Sequence, residues 1–174
     1  SSVPIALSSF TQSFPLSEAV ILSTCNRVEI YATSPGNSLN KEALLDFFSA
    51  FHGLPKEKFA DHMYHYQDMN AVRHLFFVAS SLDSLVRGET QILSQVKEAY
   101  MMATSAETTG SILNQLFQRS LNVAKDVHTR TNIGRGKVSV SSVAVDLAIK
   151  VFKDFSDKTI FIIGAGEMCE LVLK

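Results

Sequence analysis

Two short segments near the start of the chain have the apolar pattern of β-strands. Ala19 to Leu22 is a continuous apolar run, and apolar and polar positions alternate from Val28 to Ala32. Both patterns are typical of strands. The pentapeptide between them, Ser23-Thr24-Cys25-Asn26-Arg27, is mostly polar. We therefore predict two strands joined by a polar connection that carries a cysteine.

Helix-capping residues define the elements that follow. Asn40 can cap a helix over Lys41 to His52, and Gly53 can end it. A second helix is predicted over Asp68 to Ser80, with the aspartate as its cap. Between these two helices, Tyr64 to Tyr66 has the composition of a further short strand.

The middle of the chain has the apolar spacing of long helices. One predicted helix keeps an apolar face from Ile92 to Ala103, and a second keeps one from Ile112 to Val127, with a break at Gly110. Asn132 to Lys137 contains two glycines and is predicted to be a loop. Ser139 to Lys153 is predicted to form another helix.

The last residues have a different pattern. Thr159 to Ile163 is an apolar strand-like run that leads directly into Gly164-Ala165-Gly166. A strand followed by a glycine-rich turn and a helix start is the opening unit of a Rossmann-type nucleotide-binding domain. Such a domain needs on the order of 100 residues, so we expect only its beginning here. The predicted fold is α+β. A catalytic domain over 1–156, with a small β-sheet, packed helices and long helices, leads into a truncated nucleotide-binding domain over 157–174.

Composition excludes several classes of protein. Hydrophobic residues make up 46% of the chain and charged residues 19%, as in a globular domain with a core. No apolar run is long enough to cross a membrane, and the first residues lack the basic start of a secretory signal. The two cysteines are far apart, which argues against a disulfide framework or a zinc site and favours a reducing compartment. We expect no metal.

Cys25 is the first candidate for chemistry. A cation such as Arg27 lowers the pKa of a nearby thiol, and the thiolate is the reactive nucleophile. The alternative is a small buried apolar side chain. Arg27 itself can bind a carboxylate through two parallel hydrogen bonds, or it can be a strand-end cation paired with Glu29.

Other polar residues have both a chemical and a structural interpretation. His74 can act as an acid or base, or it can be a core histidine. Glu89 suits the N-terminus of a helix, and Gln91 and Gln95 project from one helix face, toward a ligand or toward water. The basic residues are either a solvated helix face or an RNA-binding patch. These residues are Arg119, Lys125, Arg130, Arg135 and Lys137.

Together these motifs resemble the glutamyl-tRNA reductase family. The matching segments occur in the family's order and cover nearly the whole chain. They are Ser23 to Tyr31, Ala71 to Leu75, Leu82 to Leu93, Gln95 to Lys97, Val123 to Lys125, Arg130-Thr131, Val138 to Ser142 and Ile163 to Glu167. The chain departs from the family pattern in lacking a first strand with a Gly-x-Asn-His-type segment. It also has Ser81 in place of glycine, Arg87 in place of an apolar residue and Thr90 in place of proline or alanine.

The resemblance implies a reaction at Cys25. The thiolate would attack the ester that joins glutamate to its tRNA and form a glutamyl thioester. Hydride from NADPH would then give glutamate-1-semialdehyde, the first committed precursor of tetrapyrroles, which are made by way of 5-aminolevulinate. Arg27 would bind the substrate's side-chain carboxylate, and His74 would act in acid–base chemistry or in structure. The truncated nucleotide-binding domain leads us to expect that this chain cannot complete the reduction.

The resemblance also implies further site residues and partners. Substrate contacts are expected at Thr24, Asn26, Arg27, Ser80, Glu89, Thr90, Gln91, Gln95 and Ser139. NADPH contacts are expected at Gly164, Ala165, Gly166, Glu167, Met168 and Cys169. Expected partners are glutamyl-tRNA and the downstream glutamate-1-semialdehyde aminomutase, with no membrane. Family members dimerise through a C-terminal domain that this sequence does not contain, and they are expected in the cytoplasm or the plastid stroma. The alternatives are a non-catalytic tRNA-binding module and a generic NAD(P)-dependent dehydrogenase fragment.

Overall fold

The computed structural model describes residues 2–36, 39–84, 88–89, 91–133, 140–156, 158–159, 161 and 163–164. Within this part of the chain there are one antiparallel sheet of two strands and six α-helices. The strands are β1 (Glu18–Ser23) and β2 (Val28–Thr33). The helices are α1 (Val3–Ser13), α2 (Lys41–His52), α3 (Asp68–Ala79), α4 (Gln91–Ser105), α5 (Ser111–Arg130) and α6 (Val140–Phe152). The predicted α+β class is confirmed.

The two strands form a hairpin, as the apolar pattern predicted. Their register pairs Ser23 with Val28 at the turn and Glu18 with Thr33 at the open end. All four apolar residues of β1 between its end residues are buried, because helices and a loop cover the strand on both faces. The outer edge of β1 is covered by the loop before α5. There the carbonyl of Thr108 accepts a hydrogen bond from the backbone N–H of Ala19, and the Thr108 hydroxyl donates one to the carbonyl of Ala19.

Helix α2 has the predicted limits. The side chain of Asn40 accepts a hydrogen bond from the backbone N–H of Ala43, which satisfies one of the free donors of the first turn. Gly53 ends the helix in the left-handed region at φ 62°, a conformation that glycine adopts without steric cost. Both ends are therefore encoded locally, by the residues beside them.

The core lies between the hairpin and helices α1 to α5. Helices α1 and α4 pack on β1, and α3 packs against both α4 and α5. The largest fully buried side chains include Leu7, Phe10, Leu75, Val96 and Phe117. The ring of Tyr31 meets that of Phe117 edge-on at 5.5 Å, and the ring of Tyr100 stacks on Phe117 at 5.6 Å. This packing fixes the hairpin against α5, and α5 against α4.

Helix α1 was not predicted from the sequence, although three of its apolar side chains, Ala6, Leu7 and Phe10, are buried at helical spacing. The start of α3 was placed one residue too late, because its N-cap is Gln67 and Asp68 is the first helical residue. No helix in the described part of the chain combines the length and apolarity needed to cross a bilayer.

One predicted strand is wrong, and a second falls partly outside the described residues. Tyr64 to Tyr66 is irregular, because its rings pack on each other and on His74 instead of extending along a paired strand. In the segment from Thr159 to Ile163, none of the three described residues is in a strand. A strand needs a hydrogen-bonded neighbour, and among the described residues none runs beside this segment.

Candidate functional site

The connection between β1 and β2 is a tight turn that Thr24 organises. The backbone N–H of Thr24 donates to the carbonyl of Arg27 at 2.9 Å. The Thr24 hydroxyl oxygen accepts from the backbone N–H groups of Asn26 at 3.2 Å and Arg27 at 3.1 Å. Cys25 therefore lies at the tip of the turn, where it is a free, exposed thiol. The alternative interpretation of Cys25 as a buried apolar side chain is wrong.

Next to this turn, a buried carboxylate gathers donors from three parts of the chain. Glu29 on β2 has a side chain that is only 4% exposed. It accepts hydrogen bonds from Arg27 Nη1 at 2.9 Å, from the hydroxyls of Tyr31 and Tyr64, and from His74 Nε2 at 2.9 Å. We call these five residues the Glu29 cluster. It joins the hairpin, the segment before α3 and helix α3 through one side chain.

The cluster keeps Glu29 ionised. Burial alone raises the pKa of a carboxyl group, because it penalises the charged form. Hydrogen bonds from His74, Tyr31 and Tyr64 outweigh this effect and lower the pKa of Glu29 to about 2. Burial and the charge of Glu29 raise the pKa of Tyr31, and burial and the Glu29 hydrogen bond raise that of Tyr64, so both remain hydroxyl donors at neutral pH.

A second carboxylate also contacts Arg27. Asp83, in the loop after α3, places Oδ2 at 3.1 Å from Arg27 Nη1, and its backbone carbonyl accepts from Arg27 Nη2. Burial lowers the pKa of Arg27, but the hydrogen bond to Asp83 and the charge of Glu29 outweigh burial and raise it. The Asp83 side chain is 53% exposed. Arg27 is therefore paired with one buried and one half-exposed carboxylate, so the predicted pairing with Glu29 is present.

His74 lies between the same two carboxylates. Its Nε2 atom is 2.9 Å from Glu29 Oε1, and its Nδ1 atom is 3.9 Å from Asp83 Oδ2. The imidazole ring also packs on Tyr64 at 5.3 Å and on Tyr66 at 4.9 Å. Both ring nitrogens of His74 thus face acidic groups of the protein.

A cavity of about 680 Å³ borders the cluster on the side of β2 and the segment before α3. Glu29, Tyr64 and His74 are among its lining residues, but Cys25 and Arg27 are not. The cavity therefore adjoins the Glu29 cluster without including the turn.

The loop after α3 is held by a buried serine in an unusual conformation. Ser81 has φ 60°, in the left-handed region that favours glycine, and its side chain is fully buried. Its hydroxyl donates to the carbonyl of Glu89 at 2.5 Å and lies 3.4 Å from His128 Nε2. The preceding residue, Ser80, is only 2% exposed at the C-cap of α3. Ser81 thus links the start of the loop after α3 to Glu89 near its end.

The other predicted site residues divide between the described and the remaining parts of the chain. Gln91 and Gln95 begin α4, half-buried on one face. Gly164 has φ 130°, a backbone conformation that favours glycine, and a Cβ added there would meet open space. The predictions at Thr90, Ser139, Ala165, Gly166, Glu167, Met168 and Cys169 lie outside the described residues.

The predicted basic patch is partly described. Arg119 and Lys125 are exposed on α5, and Arg130 is exposed in its last turn at 3.8 Å from Asp126. Arg135 and Lys137 lie outside the described residues. The described members of the patch are solvated side chains on the surface of α5.

Asp83, Tyr31 and Tyr64 were not singled out as site residues from the sequence, and Glu29 was expected only as a partner of Arg27. The apolar alternation of Val28, Ile30 and Ala32 would place Glu29 on the solvent side of the strand, whereas the structure buries Glu29 and exposes Val28. Tyr64 and His74 lie 35 and 45 residues from Glu29 along the chain, and Asp83 lies 56 residues from Arg27. No local pattern connects them.

The family can be assigned from a comparison with known proteins. The model of the family described as "Glutamyl-tRNAGlu reductase, N-terminal domain" matches residues 1–131, which include the turn and the whole Glu29 cluster. The chain belongs to the glutamyl-tRNA reductase family. The predicted resemblance is confirmed.

Relatives within the glutamyl-tRNA reductase family agree over most of this chain. The glutamyl-tRNA reductase of Geobacter sulfurreducens is 50% identical over 159 residues, which are 91% of this chain and 37% of that protein. That of Brevibacillus brevis is 43% identical over 97% of this chain and 37% of its own length. The chain therefore spans just over a third of these relatives.

A solved glutamyl-tRNA reductase has a similar structure. The protein from Methanopyrus kandleri superposes with a TM-score of 0.69 at 38% identity, over 97% of this chain and 39% of that chain. The likeness therefore extends to nearly all of the fold described above.

Proposed function

We propose that this chain takes the glutamyl group of glutamyl-tRNA onto Cys25 as a thioester, the first half of an NADPH-dependent reduction to glutamate-1-semialdehyde. Membership of the glutamyl-tRNA reductase family supports the reaction class. The single observation that supports the nucleophile is the exposed free thiol at the tip of a turn, two residues from a guanidinium. The chain spans just over a third of the length of its relatives. Thioester formation is the step that its described residues support.

The proposed step is an acyl transfer. The Cys25 thiolate attacks the ester carbonyl carbon, a carbon–sulfur bond forms, and the ester carbon–oxygen bond breaks. The ribose oxygen at the end of the tRNA leaves and takes up a proton. No oxidation or reduction occurs in this step, so it can be observed without a cofactor.

Arg27 is the proposed binding group for the glutamate side chain. In the esterified substrate the α-carboxylate is blocked, so the side-chain carboxylate is the remaining anion for a guanidinium to recognise. Glu29 supports this role because its buried, ionised carboxylate accepts a hydrogen bond from Arg27 Nη1 at 2.9 Å and so fixes the guanidinium. A fixed guanidinium binds a carboxylate with a smaller loss of side-chain entropy.

His74 is proposed to position the site and not to exchange protons with the substrate. Its two ring nitrogens face Glu29 and Asp83, and its ring packs on two tyrosines. A group that exchanges a proton with a substrate needs a nitrogen within hydrogen-bond reach of it. The contacts of His74 favour instead a role in fixing Glu29, and through it Arg27.

The remaining assignments are also proposals. Further substrate contacts are proposed at Thr24, Asn26, Ser80, Glu89, Thr90, Gln91, Gln95 and Ser139. NADPH is proposed to lie on the segment from Gly164 to Cys169, in a second domain that begins near Asp157, and when bound it supplies the hydride that reduces the thioester. The left-handed backbone of Gly164 is compatible with a glycine-rich turn there.

Glutamyl transfer to the isolated chain tests the proposal. The chain is mixed with glutamyl-tRNA and its intact mass is measured, with the Cys25→Ala variant in parallel. The matched control is Cys169→Ala, which removes the chain's other cysteine. We expect a gain of one glutamyl group in the unmodified chain and in Cys169→Ala, and release of that group by neutral hydroxylamine, which cleaves thioesters. An equal gain in Cys25→Ala, or none in the folded unmodified chain, would contradict the proposal.

A further inference from the structure

We propose that Asp83 is an exchangeable carboxylate: it occupies the substrate side of Arg27 in the free protein and yields that position to the side-chain carboxylate of the glutamyl substrate. This inference rests on the proposed function of Arg27. It adds a residue that competes with the substrate and so sets how tightly the glutamyl group is bound.

Both N–H donors of Arg27 Nη1 are already occupied. Nη1 lies 2.9 Å from Glu29 Oε1 and 3.1 Å from Asp83 Oδ2, and Nη2 donates one bond to the Asp83 carbonyl. A third carboxylate cannot accept from Nη1 without displacing one of these two. Binding of the substrate to Nη1 therefore requires an exchange.

Burial decides which carboxylate leaves. Glu29 is 4% exposed and accepts from four side chains, so removing it would leave several buried donors without a partner. Asp83 is 53% exposed, and its Oδ2 atom lies 3.9 Å from His74 Nδ1, beyond hydrogen-bond distance. Water can solvate the Asp83 carboxylate when it moves away. Asp83 is the weaker of the two ligands of Arg27.

The charge around Arg27 does not change in this exchange. One carboxylate leaves and one carboxylate arrives, so the guanidinium still faces two anions. A neutral ligand in the same place would leave Arg27 with one anion fewer. The exchange therefore suits an acidic ligand of the size of the glutamate side chain.

The backbone near Asp83 is held while the side chain can rotate. Leu82 N–H donates to the carbonyl of Phe77 at 2.9 Å, and the Ser84 hydroxyl donates to the carbonyl of Ser81 at 3.1 Å. These bonds keep the Asp83 carbonyl against Nη2 of Arg27. Only the aspartate side chain must move, which is a rotamer change in a half-exposed residue.

The expected effect is modest and has a definite sign. Half-exposed ion pairs contribute little, so removing the competing carboxylate should improve substrate binding by about threefold. A residue that merely supported the fold or positioned Arg27 would have the opposite effect, because its loss would weaken binding. The direction of the change therefore separates the two roles.

The test measures the rate of glutamyl transfer to Cys25 in a single turnover, over a range of glutamyl-tRNA concentrations. The variants are Asp83→Asn and Asp83→Ala, with circular dichroism to check folding. The matched control is Asp46→Asn, which removes an acid that is 60% exposed and pairs with Lys56 at 2.5 Å. Binding of uncharged tRNA is measured for each protein, because loss of any negative charge favours a polyanion.

We expect both Asp83 variants to reach half-maximal rate at about threefold lower glutamyl-tRNA concentration, beyond any change in Asp46→Asn or in the binding of uncharged tRNA. A higher or unchanged half-maximal concentration in the folded variants would overturn the proposal, as would an equal decrease in the control. If the unmodified chain forms no adduct at all, the proposed function itself fails, and the exchange falls with it.

Discussion

His74 Nε2 lies 2.9 Å from Oε1 of Glu29, although 45 residues separate the two along the chain. This contact attaches helix α3 to the β-hairpin that carries Cys25 at its tip. The same carboxylate also holds Arg27, so the helix, the strand and the guanidinium share one buried anion. The proposed chemistry at the turn therefore depends on Glu29, which is not itself expected to contact the substrate.

Replacing Glu29 with glutamine should destabilise the fold. The amide keeps the size of the side chain but removes the charge that Arg27 and His74 face, and it places an NH₂ group among donors. We expect the free energy of unfolding to fall by about 2–3 kcal/mol. Urea denaturation followed by circular dichroism at pH 7 measures this. The control is Glu42→Gln, which removes a 68% exposed partner of Lys56 and should cost less than about 1 kcal/mol. Equal losses in the two variants would show that the cluster is not a major source of stability.

Stability should decrease in acid over a window set by Glu29. The pKa of Glu29 is about 2 in the folded protein, below its ordinary value of 4.5. As pH falls, the unfolded chain therefore takes up this proton first. The stabilisation is complete above about pH 4.5 and is lost between pH 4.5 and pH 2, with a total of about 2–3 kcal/mol. Unfolding free energies of the unmodified chain and Glu29→Gln should converge across this window, and a constant gap between them would contradict the assignment.

Arg27 should not tolerate lysine. A single ammonium cannot contact Glu29, the Asp83 carboxylate and the Asp83 carbonyl as the planar fork does. We expect glutamyl transfer to Cys25 at subsaturating glutamyl-tRNA to slow by about 10- to 100-fold in Arg27→Lys. The matched control is Arg73→Lys, because Arg73 is an exposed residue of α3 that packs over the ring of Phe77. Similar rates in the Arg27 variant and the unmodified chain would exclude a forked contact with the substrate.

A change at His74 should affect the rate of transfer without changing its pH dependence. Glutamine can still donate one hydrogen bond to Glu29 but loses the ring that packs on Tyr64 and Tyr66. We expect His74→Gln to slow glutamyl transfer by about fivefold, the effect of losing about 1 kcal/mol of ring packing, with the same shape of pH–rate profile. The profile is measured from single-turnover adduct formation between about pH 5 and about pH 9. Loss of one limb of the profile in the variant would instead indicate acid–base catalysis by His74.

Elements with local signals could be predicted from the sequence, and long-range contacts could not. Helix α2 has its cap at Asn40 and its stop at Gly53, so both ends follow from neighbouring residues. The hairpin follows from the alternation of its second strand. By contrast, Tyr64 was assigned to a strand, whereas its hydroxyl donates to Glu29 across 35 residues. A composition rich in tyrosine favours a strand and does not reveal that a buried carboxylate will hold one of those rings in an irregular segment.

The candidate site was predicted in part for the same reason. Cys25 and Arg27 belong to the turn between β1 and β2, so their positions follow from the predicted hairpin. Glu29 could be named as a partner of Arg27 from the sequence, but Asp83, 56 residues from Arg27, could not. The sequence left Arg27 as either a substrate-binding cation or a partner of Glu29, whereas the fold brings two carboxylates to it. That difference is the origin of the proposed exchange at Asp83.

The most direct test of the account is to locate the glutamyl group on the chain. After a single turnover with glutamyl-tRNA, the protein is digested under mildly acidic conditions that preserve thioesters, and the peptides are analysed by tandem mass spectrometry. The account predicts one glutamyl group on the peptide that contains Cys25 and none on the peptide that contains Cys169. A glutamyl group on Cys169 or on a lysine, with Cys25 unmodified in the folded protein, would contradict it.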